Sequence, residues 1–353
     1  MKVFEIEATN FCNASCLMCP RDTLTRPRGY MSWETFQAVA DKVLAFGQTE
    51  LFSFSGIGEP TLNPLLARFI AYVSPYAQTN LSTNGSLLSE AAIQALLEAG
   101  LHTLILSFNG ADAATYEPIM VNLNFDQVQE AMLRLASMAD GRINRLANVT
   151  VSHLTKSQLP AIKSRLNDWG IEQIMYSPCH NRGGNFRDGT ICSTPPPPAT
   201  SRCDLFASTT FVAWNGMVLA CCQDMTGAGV MGDLTQKPME ELAAERDQIL
   251  REGVRFPMCP DCNDLNRLSQ DEPPPGTYLN EWIYRLYESE DSRTATLTEA
   301  LRLADRQLAS ARSQVVALEA ENAQLCQTVA AYEKGHFIRF MRQVAQWRKK
   351  LGL

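Results

Sequence analysis

Residues 10–20 read NFCNASCLMCP, and the three cysteines in this stretch decide how the rest of the chain is interpreted. Cys12, Cys16 and Cys19 are separated by three and then two residues, directly after the strand-like run VFEIEAT at 3–9. Three thiolates alone cannot complete a tetrahedral zinc site, and thiolates are also the usual ligands of iron–sulfur clusters. A four-iron cluster held by three cysteines keeps one iron free of protein ligands. A fourth ligand for zinc could come from a distant segment, although none is evident locally, and the open iron of a cluster could hold a small molecule.

The composition is that of a globular protein with an acidic body and a basic end. The chain has 353 residues, of which 45% are hydrophobic, and its formal net charge is −7. The segment 334–353 holds six basic side chains and no acidic one, so the remainder carries −13. An acidic body argues against nucleic acid as a partner. The amino terminus does not resemble a signal peptide and no apolar run is long enough to span a membrane, so we expect a cytoplasmic protein. In that reducing compartment we expect the 11 cysteines to be free thiols or metal ligands rather than disulfides.

Residues 2–178 alternate between strand-like and helix-like segments. The pattern at 32–47 predicts a helix that begins after Ser32 and stops at Gly47, and 88–100 repeats it. Alternation with short loops predicts parallel strands joined by helical crossovers, in a partial barrel or an open sheet, with functional groups at the carboxyl ends of the strands. The six candidate strands lie at 3–9, 51–56, 78–83, 103–109, 148–153 and 173–178.

The second half of the chain has a different organisation. A core at 1–180 is followed by a linker at 181–202 that is rich in Gly and Pro. A small domain is predicted at 203–270, with a hairpin around Asn215-Gly216. Its cysteines lie at positions 203, 221, 222, 259 and 262.

The carboxyl-terminal part predicts helices of another kind. Apolar or small residues at alternating steps of four and three predict a coiled coil over 277–333. Asn322 falls at a core position, which favours a parallel homodimer; a single amphipathic helix packed on its own body is the alternative. The basic amphipathic tail at 334–353 is suited to an anionic membrane surface, or to docking on a second copy.

The cysteine motif resembles the signature of radical S-adenosylmethionine (SAM) enzymes. Three further segments resemble that family's motifs in the expected order, namely GIGEP at 56–60, STNG at 82–85 and LSFNG at 106–110. The resemblance implies that Cys12, Cys16 and Cys19 bind a [4Fe–4S] cluster within a partial (β/α)6 barrel. It also implies that SAM is cleaved there to a 5′-deoxyadenosyl radical, which takes hydrogen from a substrate C–H bond. The residues that it assigns to SAM are Gly58 and Glu59 at the amino group, Ser82, Thr83 and Asn84 at the ribose, and Ser107 at the carboxylate.

The second cysteine set resembles the short SPASM/twitch extension of the same family. The resemblance implies one auxiliary [4Fe–4S] cluster; a structural zinc site with the same thiolates is the alternative. Neighbouring residues on a strand point to opposite faces, so only one of Cys221 and Cys222 is expected to be a ligand, and the sequence leaves open which. The predicted ligands are Cys203, Cys221, Cys259 and Cys262.

The resemblance implies an oxidoreductase or epimerase with a carbohydrate or cyclitol substrate, served by a reducing electron donor such as flavodoxin or ferredoxin. A peptide maturase and a non-catalytic metal-binding scaffold are the alternatives. In an epimerase a thiol returns a hydrogen atom, and Cys179 and Cys192 are the candidates, with ordinary thiols as the alternative. CHNRGGN at 179–185 resembles a segment that lines the pocket in this family.

Overall fold

The computed structural model describes residues 2–192, 201–264, 267 and 335–352. The chain divides into two compact units, Met1–Glu281 and Trp282–Leu353. The predicted coiled coil at 277–333 lies outside the described residues. None of the described helices is long and apolar enough to cross a membrane.

Nine strands of the first unit form one sheet. Their order in space is β6-β5-β4-β3-β2-β1-β7-β8-β9, and β1 to β6 pair in parallel with their sequence neighbours. This confirms the predicted α/β fold with a parallel sheet, although the fifth strand begins four residues earlier than expected. The strands are β1 Val3–Ile6, β2 Leu51–Phe54, β3 Gln78–Thr83, β4 Thr103–Ser107, β5 Asn144–Val151, β6 Gln173–Pro178, β7 Thr209–Val212, β8 Met217–Leu219 and β9 Val230–Asp233.

Helices lie between the parallel strands and begin where the sequence supplies a cap. Ser32 accepts a hydrogen bond from the Thr35 amide at 3.1 Å, and Ser89 accepts one from Ala92 at 3.2 Å. A Ser side chain at this position satisfies an amide that the helix leaves unpaired. The helices are α1 Trp33–Ala45, α2 Leu66–Val73, α3 Glu90–Glu98, α4 Ala113–Tyr116, α5 Phe125–Ala139, α6 Leu159–Asp168, α7 Asp204–Ser208 and α8 Met239–Glu252.

The two faces of the parallel sheet differ in polarity, most clearly towards the carboxyl ends of the strands. One face carries apolar side chains that pack with the helices into the main core, for example Phe4, Phe52 and Leu104. Because side chains alternate along a strand, the intervening residues point to the opposite, inner face. That face also carries the buried apolar residues Ile105, Leu146 and Met175. We call its polar members the inner wall: Glu5, Glu7, Ser53, Ser55, Asn80, Ser82, Ser107, Asn148 and Ser177.

The strands of the predicted small domain extend the same sheet. β7 pairs in parallel with β1, and β7, β8 and β9 continue as an antiparallel meander. The turn at Asn215-Gly216 is where the sequence predicts it, and Gly216 has a φ of 85°, which favours glycine. β8, which leads to Cys221 and Cys222, is thereby fixed in the same sheet as β1, which leads to Cys12, with β7 between them.

The described part of the second unit is one amphipathic helix, α9 (His336–Lys350). Four apolar side chains are exposed at spacings of three and four residues, which places them on one helical face. They are Phe340, Met341, Val344 and Trp347, with exposures of 60%, 52%, 36% and 72%.

Candidate metal centres and active site

The first cysteine loop follows β1 directly and is folded by its own backbone. The Cys19 amide donates to the Cys16 carbonyl at 3.0 Å, and the Ala14 amide donates to the Cys12 sulfur at 3.4 Å. Burial, followed by the neighbouring thiols of Cys19 and Cys12, raises the pKa of Cys16 to about 12. Burial also raises the pKa of Cys12. Thiols held like this ionise at neutral pH only when a cation compensates the charge.

The loop after β2 presses against the cysteine loop. A Cβ atom on Gly58 would lie 2.1 Å from the Thr9 carbonyl oxygen and 2.6 Å from that of Phe11. The next amide, that of Glu59, donates to the Phe11 carbonyl at 2.8 Å. Glycine is therefore required because two backbones approach closely here.

Glu59 joins this loop to the loop after β3. Its buried carboxylate accepts hydrogen bonds from the Thr83 hydroxyl at 2.7 Å, the Asn84 amide at 2.8 Å and the Thr61 hydroxyl at 2.6 Å. Burial raises the pKa of Glu59 above its usual value, and these hydrogen bonds offset only part of that increase. The Asn84 side chain in turn donates to Asn13 of the cysteine loop at 2.9 Å. Glu59, Thr83 and Asn84, predicted at the SAM amino group and ribose, thus form one network with the cysteine loop.

The remaining predicted SAM residues, Ser82 and Ser107, lie on the inner wall. Both are partly accessible, whereas Glu59, Thr83 and Asn84 are buried. Two roles are therefore distinguishable: the buried residues fix the loops, and the two serines leave their hydroxyl groups partly accessible on the inner face of the sheet.

Four cysteines come together from three segments in the second cluster region. Cys203 precedes α7, Cys221 follows β8, and Cys259 and Cys262 form one tight turn. Burial raises the pKa of Cys221 well above its usual value, and the charges of the three other thiols raise it further. Burial likewise raises the pKa of Cys203 to about 12.

Cys222 has different neighbours from Cys221. Its thiol lies close enough to the Glu5 carboxyl on the inner wall to lower the pKa of that group. Burial raises the pKa of Cys222 well above its usual value, and of the neighbouring charges Glu5 contributes most. Cys221 therefore faces the other cysteines and Cys222 faces the inner wall, as expected for adjacent residues of an extended chain.

Asn181 ties the end of β6 to the turn that carries Cys259 and Cys262. Its amide donates to the Asn263 side chain at 2.8 Å, and the Asn263 amide donates back to the Asn181 side chain at 3.2 Å. The Asn181 side chain also donates to the Asp261 carbonyl. This reciprocal pair fixes the second cluster region against the parallel sheet.

Cys179 and Cys192 form a disulfide, with their Cα atoms 5.3 Å apart. The expectation that the cysteines stay unpaired is wrong for these two, because the segment after β6 turns back and brings residues 13 positions apart together. A sulfur in a disulfide carries no S–H hydrogen. Their role as hydrogen donors stays a prediction, and it requires the reduced pair.

Sequence reasoning missed a buried ion pair beneath the cysteine loop. The Arg26 guanidinium donates to both carboxylate oxygens of Glu7, at 2.6 and 2.5 Å, and to the Asp224 carbonyl at 3.1 Å. Glu7 is 0% and Arg26 8% exposed. The available signal was the alternation of acidic and apolar residues in VFEIE, which places two carboxyl groups on one face of a buried strand.

Two family models match the chain. The radical SAM superfamily matches residues 6–146, and the iron–sulfur cluster-binding domain SPASM matches 203–263. The chain therefore carries a radical SAM domain. A SPASM domain follows it, and the two domains imply SAM and [4Fe–4S] clusters as cofactors, including an auxiliary cluster.

Curated relatives of this radical SAM protein are distant. It is 24% identical over 182 residues to the tungsten-containing aldehyde ferredoxin oxidoreductase cofactor-modifying protein of Pyrococcus furiosus, covering 50% of this chain and 51% of the relative. It thus spans about half the length of that relative. It is 21% identical over 281 residues to the S-adenosyl-L-methionine-dependent 2-deoxy-scyllo-inosamine dehydrogenase of Niallia circulans, covering 76% of this chain and 96% of the relative.

Solved structures share the fold of the radical SAM protein. BtrN in complex with AdoMet and 2-DOIA has a TM-score of 0.53 at 20% identity, covering 77% of this chain and 96% of BtrN. Native anSMEcpe with bound AdoMet has a TM-score of 0.58 at 15% identity, covering 87% and 100%.

The residues present fit the implied cofactors. Each cluster region supplies a set of enclosed thiols, three in the first and four in the second, and Gly58 leaves the space that the cysteine loop needs. Across the described ranges, no three His, Cys, Asp or Glu side chains converge closely enough to hold a single metal ion.

Proposed function

We propose that this protein is an oxidoreductase that acts on a carbohydrate or cyclitol, with epimerisation as the second outcome of the same chemistry. Bound SAM and the first cluster supply a 5′-deoxyadenosyl radical, which takes a hydrogen atom from a substrate carbon. Cys12, Cys16 and Cys19 would hold that cluster. Gly58, Glu59, Ser82, Thr83, Asn84 and Ser107 would hold or support SAM.

The observation that carries the proposal is the polarity of the inner wall. Towards their carboxyl ends, the strands β2 to β6 each present a hydroxyl or amide group on the inner face, whereas the apolar Ile105, Leu146 and Met175 lie two residues earlier on three of these strands. Ser53, Ser82, Ser107, Asn148 and Ser177 are all partly accessible. A polyhydroxylated substrate matches such a wall because each of its hydroxyl groups both donates and accepts hydrogen bonds. The likeness to the inosamine dehydrogenase over 96% of its length supports the same substrate class.

The second cysteine set favours oxidation over epimerisation. We propose that Cys203, Cys221, Cys259 and Cys262 hold a single auxiliary [4Fe–4S] cluster, in the short twitch form of the extension. Four thiolates leave no iron open for substrate, so the cluster is suited to accepting an electron. Epimerisation would instead require a thiol, and Cys179 and Cys192 are paired.

Isotope transfer tests the proposal directly. The protein is reconstituted anaerobically and supplied with SAM and a reductant, either dithionite or flavodoxin. It is then offered deuterated 2-deoxy-scyllo-inosamine and a panel of deuterated sugars. We expect deuterium in 5′-deoxyadenosine and a ketone product. Deuterium arriving only from peptides would favour a maturase, and zinc in place of iron would favour a non-catalytic scaffold.

The carboxyl-terminal region extends the proposal to partners. We propose that the segment at 277–333 forms a parallel homodimeric coiled coil, which analytical ultracentrifugation of the full chain and a chain ending at 276 tests. We further propose that α9 lies on anionic membrane, because its exposed apolar face accompanies six basic residues and no acid in 334–353. Co-sedimentation with phosphatidylglycerol vesicles should be lost in Trp347→Glu and retained in Gln343→Glu. Equal binding of both variants would contradict membrane contact by this face.

A further inference from the structure

An acidic side chain of the inner wall touches the segment that carries the auxiliary cysteines. Glu5 lies in β1, and its carboxylate accepts a hydrogen bond from the Ser55 hydroxyl at 2.8 Å. The Cys222 thiol is a further neighbour, which lowers the pKa of Glu5. Two other charged groups act on it, Glu7 from the same strand and Arg182 from the loop after β6. Glu5 therefore lies at the junction of the parallel sheet and the auxiliary region.

Glu5 is not part of the apolar core and is not fully closed off from solvent. It is deeply enclosed by protein, yet the residue keeps accessible surface, as do Ser55, Arg182 and Cys222. Burial raises the pKa of Glu5 to about 7, the Glu7 charge acts in the same direction, and the Ser55 and Cys222 side chains, with Arg182, oppose the shift. A carboxyl group in such surroundings exchanges a proton near neutral pH.

We propose that Glu5 is the group that accepts the substrate's hydroxyl proton when the auxiliary cluster accepts its electron, and that Ser55 and Cys222 position it. This assignment rests on the oxidation proposed above. After a hydrogen atom has left the carbinol carbon, the substrate radical breaks its O–H bond and forms a C=O double bond. The proton would go to a carboxylate oxygen of Glu5, and an oxidised auxiliary cluster held by the second cysteine set would take the electron. One proton and one electron are released and both are accounted for.

Because Glu5 lies next to the segment that carries the auxiliary cysteines, proton transfer to Glu5 and electron transfer to the cluster would favour each other. Cys221 faces the other cysteines, and the next residue, Cys222, contacts Glu5. An electron added to the cluster raises the negative potential at Glu5, because Coulomb interactions are strong in an enclosed site. Proton uptake by Glu5 cancels that charge, so reduction of the cluster and protonation of Glu5 are thermodynamically linked.

This linkage is measurable without any substrate. We propose redox titrations of the auxiliary cluster in the full-length, two-cluster protein, followed by electron paramagnetic resonance, at a series of pH values across neutrality. In the wild type we expect the midpoint potential to fall as pH rises, since fewer Glu5 carboxyl groups are available to be protonated on reduction. In Glu5→Gln, which keeps the shape and cannot take up a proton, the potential should not change over this range.

Two variants serve as controls for Glu5→Gln. Glu50→Gln changes an exposed carboxyl paired with Lys2 and should behave like wild type. Ser55→Ala removes a hydrogen bond that lowers the pKa of Glu5, so the pH-dependent range should move to higher pH. Ser55→Ala also keeps the proposal testable if Glu5→Gln does not fold. A flat wild-type profile, or an unchanged slope in Glu5→Gln, would overturn the assignment.

A separate pair of variants tests the proposed positioning role of Cys222. Cys222→Ala should retain the auxiliary cluster, whereas Cys221→Ala should lose it. Loss of the cluster in Cys222→Ala would make that thiol a ligand and overturn the positioning role. None of these measurements depends on finding a substrate, so a failure of the carbohydrate proposal and a failure of the Glu5 assignment are separable.

Discussion

Replacing Arg26 by Met would leave the Glu7 carboxylate buried without its counter-charge. The structure sets the scale of the loss, because both ends of the pair are enclosed and two charge-assisted hydrogen bonds of 2.6 and 2.5 Å disappear. Breaking one side of such a buried pair costs about 3–5 kcal/mol, whereas an exposed pair contributes about 0–1 kcal/mol. We therefore expect Arg26→Met to lower the free energy of unfolding by about 4 kcal/mol, measured by guanidinium denaturation of the cluster-loaded protein under anaerobic conditions.

A double-mutant cycle separates the ion pair from the packing of the arginine chain. Glu7→Gln combined with Arg26→Met removes both charges, so its cost should be smaller than the sum of the two single changes by about 1–3 kcal/mol. Lys2→Met is the matched control, since the Lys2–Glu50 pair is more than half exposed at both ends, with side-chain exposures of 59% and 56%. An Arg26→Met protein within about 1 kcal/mol of wild type, or additive costs in the cycle, would refute the reasoning.

Three further predictions concern the cysteine loop and the inner wall. Cys16→Ala should reduce the iron content from about eight to about four atoms per chain, the number in one cubane, and abolish SAM cleavage; retained cleavage would contradict the assignment. Gly58→Ala should lower the melting temperature and the iron content, because a Cβ would lie 2.1 Å from the Thr9 carbonyl oxygen, whereas Gly189→Ala, with no atom within 4 Å of its Cβ, should change neither. The wild type should lose stability as pH rises from about 4.5 to about 7, since folded Glu5 retains a proton that the unfolded chain has released; Glu5→Gln should remove up to about 3 kcal/mol of this dependence, and parallel stability curves for the two proteins would contradict it.

Most strands and helices of the parallel sheet could be predicted from local signals in the sequence. Caps such as Ser32 and the alternation of apolar runs act within one segment, and the structure has the expected strands and helices there. The hairpin at Asn215-Gly216 was predictable for the same reason, because its turn residues determine its geometry. The spacing of the cysteines also predicted the two thiol sets without any knowledge of contacts between distant segments.

Contacts between distant segments could not be predicted from such local signals. The Cys179–Cys192 disulfide depends on the path of an irregular segment after β6. Whether Cys221 or Cys222 faces the other cysteines depends on what lies on each side of the chain. The sequence alone indicated only that the two side chains point to opposite faces. Arg26 gave no signal, because a basic residue in a polar loop is usually exposed and its partner Glu7 lies 19 positions away.

The pairing of β7 with β1 gives the ion pair a role in the site as well as in stability. Side chains alternate along a strand, so a slip of one residue would turn a strand's inward side chains to the other face. The Glu7 amide donates to the Val212 carbonyl at 2.9 Å, and Arg26 joins Glu7 to the carbonyl of Asp224, beyond β8. The Glu5–Cys222 contact requires the same alignment of the two segments. Arg26→Met should therefore also lower the auxiliary iron content, and unchanged iron with reduced stability would restrict Arg26 to a purely structural role.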